Sequence, residues 1–104
     1  MSWVPVLHRN NTQEVTVEWV RANHPSDQFQ LLDCREQPEW NAGHIEGAIF
    51  CPLSQWHSVG KAVSKEKPIV VYCRSGKRSA RATNDLLAKG YQVASMAGGI
   101  SAYE

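Results

Sequence analysis

Pro68-Ile69-Val70-Val71-Tyr72-Cys73-Arg74-Ser75-Gly76-Lys77-Arg78-Ser79 is the stretch whose reading decides the fold. Residues 68–72 are β-branched or aromatic after the proline, with no polar alternation. That composition suits a central strand buried on both faces. A short loop follows, and Ser79 to Lys89 reads as a helix, with Ser79 as its N-cap and Gly90 just past its end. A strand, a tight loop and a helix in that order place Cys73 at the carboxyl edge of a sheet, facing a helix N-terminus. Successive N–H groups in such a loop form an anion-binding nest, and the helix dipole adds positive potential. Both favour thiolate over thiol, so the pKa of Cys73 is expected to be lowered. Gly76 supplies the backbone freedom that a tight loop needs.

The charges sharpen this reading. Arg74, Lys77, Arg78 and Arg81 crowd the positive end of the same helix. Helix electrostatics alone would place acids there. Four cations are locally unfavourable unless an anion sits among them, and a thiolate with an anionic substrate meets that need. Cys34 and Cys51 lie in apolar, strand-like surroundings without such a cluster, apart from Arg35 beside Cys34, and read as small buried hydrophobes, with a resolving-thiol role for either as the less favoured alternative.

Outward from the loop, short apolar runs alternate with helical patterns. Val15-Thr16-Val17 leads into a helix over Glu18 to Ala22, with Thr16 a candidate N-cap and Pro25 a stop. Phe29 to Asp33 reads as a strand, Gln37 to Asn41 as a short helix ended by Gly43, and Ala48 to Cys51 as a strand stopped by Pro52. Gln92 to Met96 is a last strand, and Gly98-Gly99 opens a terminal helix. The expectation is an α/β fold: a small domain with a mainly parallel central sheet flanked by helices on both faces. In such folds the site lies beyond the carboxyl ends of the strands.

Composition bounds the function. The chain has 104 residues, 42% of them hydrophobic, which fits one domain over residues 1–104 with one real core. Charged residues are 20%, ordinary for a globular chain. A net charge of +1 argues against nucleic-acid binding by bulk electrostatics. Three cysteines make no disulfide framework, there is no CxxC pair, and no Cys/His cluster has metal-binding spacing. Free thiols point to a reducing compartment. Met1 to Asn11 does not read as a signal peptide, and no apolar run is long enough to cross a membrane. A soluble cytoplasmic protein is expected.

The loop from Cys73 to Ser79 resembles the active-site loop of the rhodanese family. Asp33-Cys34-Arg35-Glu36, together with Glu39-Trp40-Asn41-Ala42-Gly43-His44-Ile45-Glu46-Gly47-Ala48, resembles that family's upstream motif. Ala97-Gly98-Gly99-Ile100-Ser101-Ala102-Tyr103 resembles its C-terminal paired glycine and aromatic. The three segments keep the family's order and approximate spacing over nearly the whole chain. Cys34 and Cys51 depart from the aliphatic or small residues common there, and Tyr103 stands where tryptophan is frequent.

The resemblance implies a rhodanese-like fold and a thiosulfate sulfurtransferase activity in which Cys73 carries transferable sulfur as a persulfide. It implies that the loop Arg74, Ser75, Gly76, Lys77, Arg78 surrounds that sulfur with amides, and that Asp33 and Arg35 belong to the structural surround. His44 matches the family's motif histidine, with a structural role as ready an explanation as a direct one. Ser75 and Ser79 are candidate hydrogen-bond donors to the sulfur, Ser79 doubling as the cap. Arg74 and Lys77 are placed to attract an anionic donor, and Arg78 points either into the site or out. No metal or cofactor is called for, because the nucleophile is already ionised and the leaving group is a stable anion. The expected partners are a small-molecule sulfur donor and acceptor, or a thiol-bearing acceptor protein, with no nucleic acid and no membrane.

Two other classes stay in view. Cysteine phosphatases and arsenate reductases need an arginine after five intervening residues, but that position holds Ser79, and Arg78 comes one early. A sulfur-carrier or regulatory module without turnover is the non-enzymatic alternative, although such modules usually lose the loop cysteine.

Overall fold

The structure, a computed structural model, describes residues 7–9 and 12–104. The reading of the N-terminal stretch falls largely outside them. Six strands, β1 (Leu7–Arg9), β2 (Thr12–Val15), β3 (Gln30–Asp33), β4 (Ile49–Phe50), β5 (Ile69–Tyr72) and β6 (Val93–Met96), form one sheet in the order β1-β2-β6-β5-β3-β4. Only the β1–β2 pairing is antiparallel; the other five strands run parallel. The helices are α1 (Val17–Asn23), α2 (Gln37–Ala42), α3 (Val59–Ala62), α4 (Lys77–Ala88) and α5 (Gly99–Tyr103), with a 3-10 helix over Leu53–Ser58 before α3. No helix among the described residues is long and apolar enough to cross a membrane.

β5 is the axis of the molecule. All four of its residues are fully buried, and strand alternation divides them between two cores. Val70 and Tyr72 join Val17 and Val20 of α1 and Ile100 of α5 on one face. Ile69, Val71 and then Cys73 join Val59 of α3 and Ala82 and Leu86 of α4 on the other. Each such side chain contributes about 1.5–3 kcal/mol on burial. This is the expected parallel sheet with helices on both faces.

The structure moves several boundaries. The Thr16 hydroxyl accepts a hydrogen bond from the Trp19 amide at 3.0 Å, so Val17 is the first helical residue of α1, one position before the expected start at Glu18. The strand before it is Thr12–Val15. The larger correction concerns α4. It begins at Lys77, capped by Gly76 at φ +102°, and not after an N-cap at Ser79. The left-handed turn at Gly76 redirects the chain early, which makes Ser79 the third helical residue and fully buried. The segment Leu53–Ala62 forms the 3-10 helix and α3. Its 3-10 turn and α3 are held by packing of Val59 and Leu53 on the second core.

Candidate active site

β5 delivers Cys73 one residue past its last paired position, and α5 holds the loop that follows. The first amides of α5 have no partner within their own helix. Ile100 N donates to the Cys73 carbonyl at 2.9 Å, and Ser101 N donates to the Arg74 carbonyl at 3.1 Å. Gly99 sits at φ +64°, so close to these carbonyls that a Cβ would collide with Arg74 O and Cys73 O. The paired glycines of residues 98 and 99 thus let a helix end dock on the loop backbone. Gly99→Ala is expected to displace the loop, lowering Cys73-dependent turnover by about 100-fold or more while most of the fold persists. Steady-state turnover together with the circular dichroism spectrum checks this.

The Cys73 sulfur faces inward and the residue is only 1% exposed. Gly76 N donates to Sγ at 3.1 Å and Ser79 N at 3.3 Å, and the Ser79 hydroxyl oxygen lies 3.5 Å away. Burial raises the pKa of the thiol, but the Ser79 hydroxyl and the amides of Ser79, Gly76 and Ser75 outweigh it, so the net direction is down. A preorganised cup of N–H and O–H donors around a buried sulfur stabilises negative charge there without a base or a metal. Amide contacts to Sγ come from Gly76 and Ser79, and the Ser75 amide also favours the thiolate.

Ser79 is therefore not a cap but part of the cup. Its hydroxyl is 2.7 Å from that of Ser95 on β6. Ser95 pairs in register with Val71 and is fully buried, so it reaches the same face beneath α4. When Ser95 donates to Ser79, the Ser79 proton is free to point at the thiolate. Nothing in the local pattern of β6 marks Ser95; only the register of β5 on β6 brings it here. Ser79→Ala is expected to move the pH midpoint of Cys73 alkylation up, slowing alkylation below that midpoint. The pH profile of iodoacetamide labelling reads it directly.

Arg78 turns away from the sulfur. Its guanidinium grips the Glu39 carboxylate of α2 through two 2.7 Å hydrogen bonds. Those bonds hold the Glu39 pKa down at about 2, against the opposing effect of burial. One of the four crowded cations is thereby neutralised by a partner 39 residues away in sequence. Arg74, Ser75, Lys77 and Arg81 remain exposed.

Asp33 and Arg35 form a buried pair at the end of β3. Arg35 Nε and Nη2 donate to both Asp33 oxygens at 2.8–3.1 Å, and Nη2 also donates to the Gly43 carbonyl at 2.7 Å. The guanidinium lies over the Tyr72 ring at 5.6 Å, and the Tyr72 hydroxyl accepts from Ile45 N at 3.1 Å. These contacts tie residues 43–45 to the strand ends. His44 is exposed, stacked on Trp40 at 3.5 Å between centroids, and makes no contact with Cys73. An open cleft of about 1080 Å³ lies between this segment and α5, with Arg35, His44, Glu46, Arg74 and Tyr103 on its walls. Arg74, from the loop that follows Cys73, is among its lining residues.

Comparison with known proteins agrees with this architecture. A family model described as a rhodanese-like domain matches residues 16–104. An uncharacterised Bacillus subtilis protein, YqhL, is 36% identical over 85 residues, which are 82% of this chain and 66% of that protein. A Staphylococcus aureus tRNA uridine(34) hydroxylase is 34% identical over 84 residues, 74% of this chain but only 26% of the enzyme. The crystal structure of a rhodanese-related protein from Thermoplasma volcanium superposes with a TM-score of 0.79 at 28% identity, covering 86% of this chain and 88% of that one. With the cysteine loop, the paired glycines and the parallel sheet in place, the chain belongs to the rhodanese-like domain family.

Proposed function

We propose that this chain is a sulfurtransferase that moves sulfane sulfur from a donor such as thiosulfate to a nucleophilic acceptor, through a persulfide on Cys73. The observation that carries the reading is the cup around Sγ, formed by the Gly76 and Ser79 amides and the Ser79 hydroxyl. The Cys73 thiolate attacks the outer sulfur of thiosulfate. The sulfur–sulfur bond breaks, sulfite leaves with the electron pair, and Cys73 holds the transferred sulfur. Cyanide or a thiolate then attacks that sulfur, and the Cys73 thiolate departs into the same donors that held it at the start. Arg74 and Lys77, exposed at the loop, attract the doubly charged donor. Ser75 and Gly76 shape the turn, while Arg78, Asp33, Arg35 and His44 hold the surrounding segments. The setting is a reducing compartment such as the cytoplasm, where the three cysteines stay free thiols, and the acceptor is a small thiol or a thiol-bearing protein.

Geometry disfavours phosphoryl transfer. A phosphate cradle needs an arginine folded over the loop, and Arg78 is committed to Glu39. The test is intact mass after incubation with thiosulfate, followed by cyanide. A gain of one sulfur atom, lost on adding cyanide with thiocyanate formed, is the expected result. No gain rejects thiosulfate as donor. Hydrolysis of p-nitrophenyl phosphate instead would move the chain to the phosphatases. A persulfide passed to proteins but not to cyanide or small thiols would make it a carrier.

A further inference from the structure

Three cysteines stand in a row at the carboxyl ends of three adjacent strands. Cys51, Cys34 and Cys73 each directly follow β4, β3 and β5. Register pairs Asp33 with Phe50 on one side and with Tyr72 on the other. The ladder reaches the next residues, with Cys34 N donating to Tyr72 O and Cys51 N to Asp33 O, both at 3.1 Å. Cys34 is thus the neighbour of Cys73 across one strand gap. All three are buried in the same core, at 0, 4 and 1% exposure for Cys34, Cys51 and Cys73.

Adjacent strands lie about 4.8 Å apart, with paired side chains on one face. A disulfide accepts Cα separations of about 4.4–6.8 Å. The register therefore places the Cα atoms of Cys34 and Cys73 at the spacing of one strand gap, within that range. Cys51 lies outside it, because β3 stands between it and Cys73, and its thiol donates to the Gln55 carbonyl.

Resting on the persulfide reading above, we propose that Cys34 is an internal resolving thiol, which attacks Sγ of the Cys73 persulfide and releases its outer sulfur as hydrogen sulfide. The reaction balances without an external oxidant. A Cys34–Cys73 sulfur bond forms and the bond from Sγ to the outer sulfur breaks. The Cys34 proton goes to the departing sulfur of the persulfide anion, which leaves as HS⁻. The sulfane sulfur is reduced to sulfide and the two cysteines are oxidised to a disulfide. Burial and then the charge on Cys73 push the Cys34 thiol pKa strongly up, so Cys34 keeps its proton while Cys73 is charged. Resolution is therefore slow compared with transfer to an acceptor, and it drains the persulfide only when none is present. The disulfide silences transfer until a dithiol reductant reopens it.

The test loads the whole chain with thiosulfate and, in parallel, with inorganic polysulfide, then removes excess reagent under anaerobic conditions. Intact mass, released sulfide and non-reduced peptides are followed over time. The wild type is expected to lose the added sulfur and two hydrogens, to release one sulfide per chain, and to yield a Cys34–Cys73 cross-linked peptide. Cys34→Ser and Cys34→Ala are expected to hold the persulfide at least about tenfold longer while still forming thiocyanate with cyanide. Cys51→Ala should behave as the wild type does. A loaded wild type that keeps its persulfide as long as the Cys34 variants, or a cross-link that includes Cys51, overturns the proposal while the Cys73 persulfide stands. Failure to load from either source overturns both.

Discussion

Cys73→Ser is expected to lower thiosulfate:cyanide turnover by more than about 10³-fold, with no sulfur gained by mass. The magnitude follows from what serine lacks. An alcohol is not ionised by amide donors at neutral pH, whereas the cup of Gly76, Ser79 and the Ser79 hydroxyl lowers the thiol pKa even against burial. Neither other cysteine substitutes. Burial raises both, that of Cys34 strongly, and neither has the loop donors. Far-ultraviolet circular dichroism should be unchanged, because the substitution exchanges one small buried atom for another beside existing donors. Residual transfer near the wild-type rate would remove Cys73 from the mechanism.

Asp33→Ala is expected to destabilise the fold by about 3–5 kcal/mol, enough to leave much of the chain unfolded at 37 °C. Asp33 is fully buried and Arg35 is 6% exposed, so little solvent screens the charge left behind. Burial opposes the Arg35 charge, and the hydrogen bonds and charge of Asp33 reverse that effect. Remove the carboxylate and a largely buried guanidinium keeps, among the described residues, only the Gly43 carbonyl as a hydrogen-bond partner, and the Arg35 amide, which now bonds Asp33 at 2.9 Å, is left unpaired. The check is the urea midpoint. A double variant, Asp33→Leu with Arg35→Met, is expected to cost less than the sum of the single ones, since the pair's worth lies in mutual compensation rather than net attraction. It should still weaken transfer, because the anchor on the Gly43 carbonyl, and with it one wall of the cleft, is lost.

What could be read from the chain alone was whatever depends on neighbours in sequence. The β-branched run Ile69 to Tyr72 needs no partner to declare itself a buried strand. A cysteine between that strand and a glycine-bearing cationic loop declares an anion site, and Thr16, Gly43 and the paired glycines of residues 98 and 99 punctuate their helices by local backbone chemistry. Hence the sheet type, the order of elements and the place of Cys73 were legible. Distances between strands and helices were not. That Ser79 is a donor to the sulfur rather than a cap follows from the left-handed turn at Gly76, which lies against the Gly98 backbone. That Arg78 leaves the site follows from Glu39 arriving across a gap of 39 residues. Ser95 and Cys34 carry no signal of their own. Each acquires its place, Ser95 against Ser79 and Cys34 across one strand gap from Cys73, only through the register of β6 and β3 against β5. Registers are long-range: they arise when whole hydrophobic faces are buried together, and no short window of sequence contains the energy that selects them.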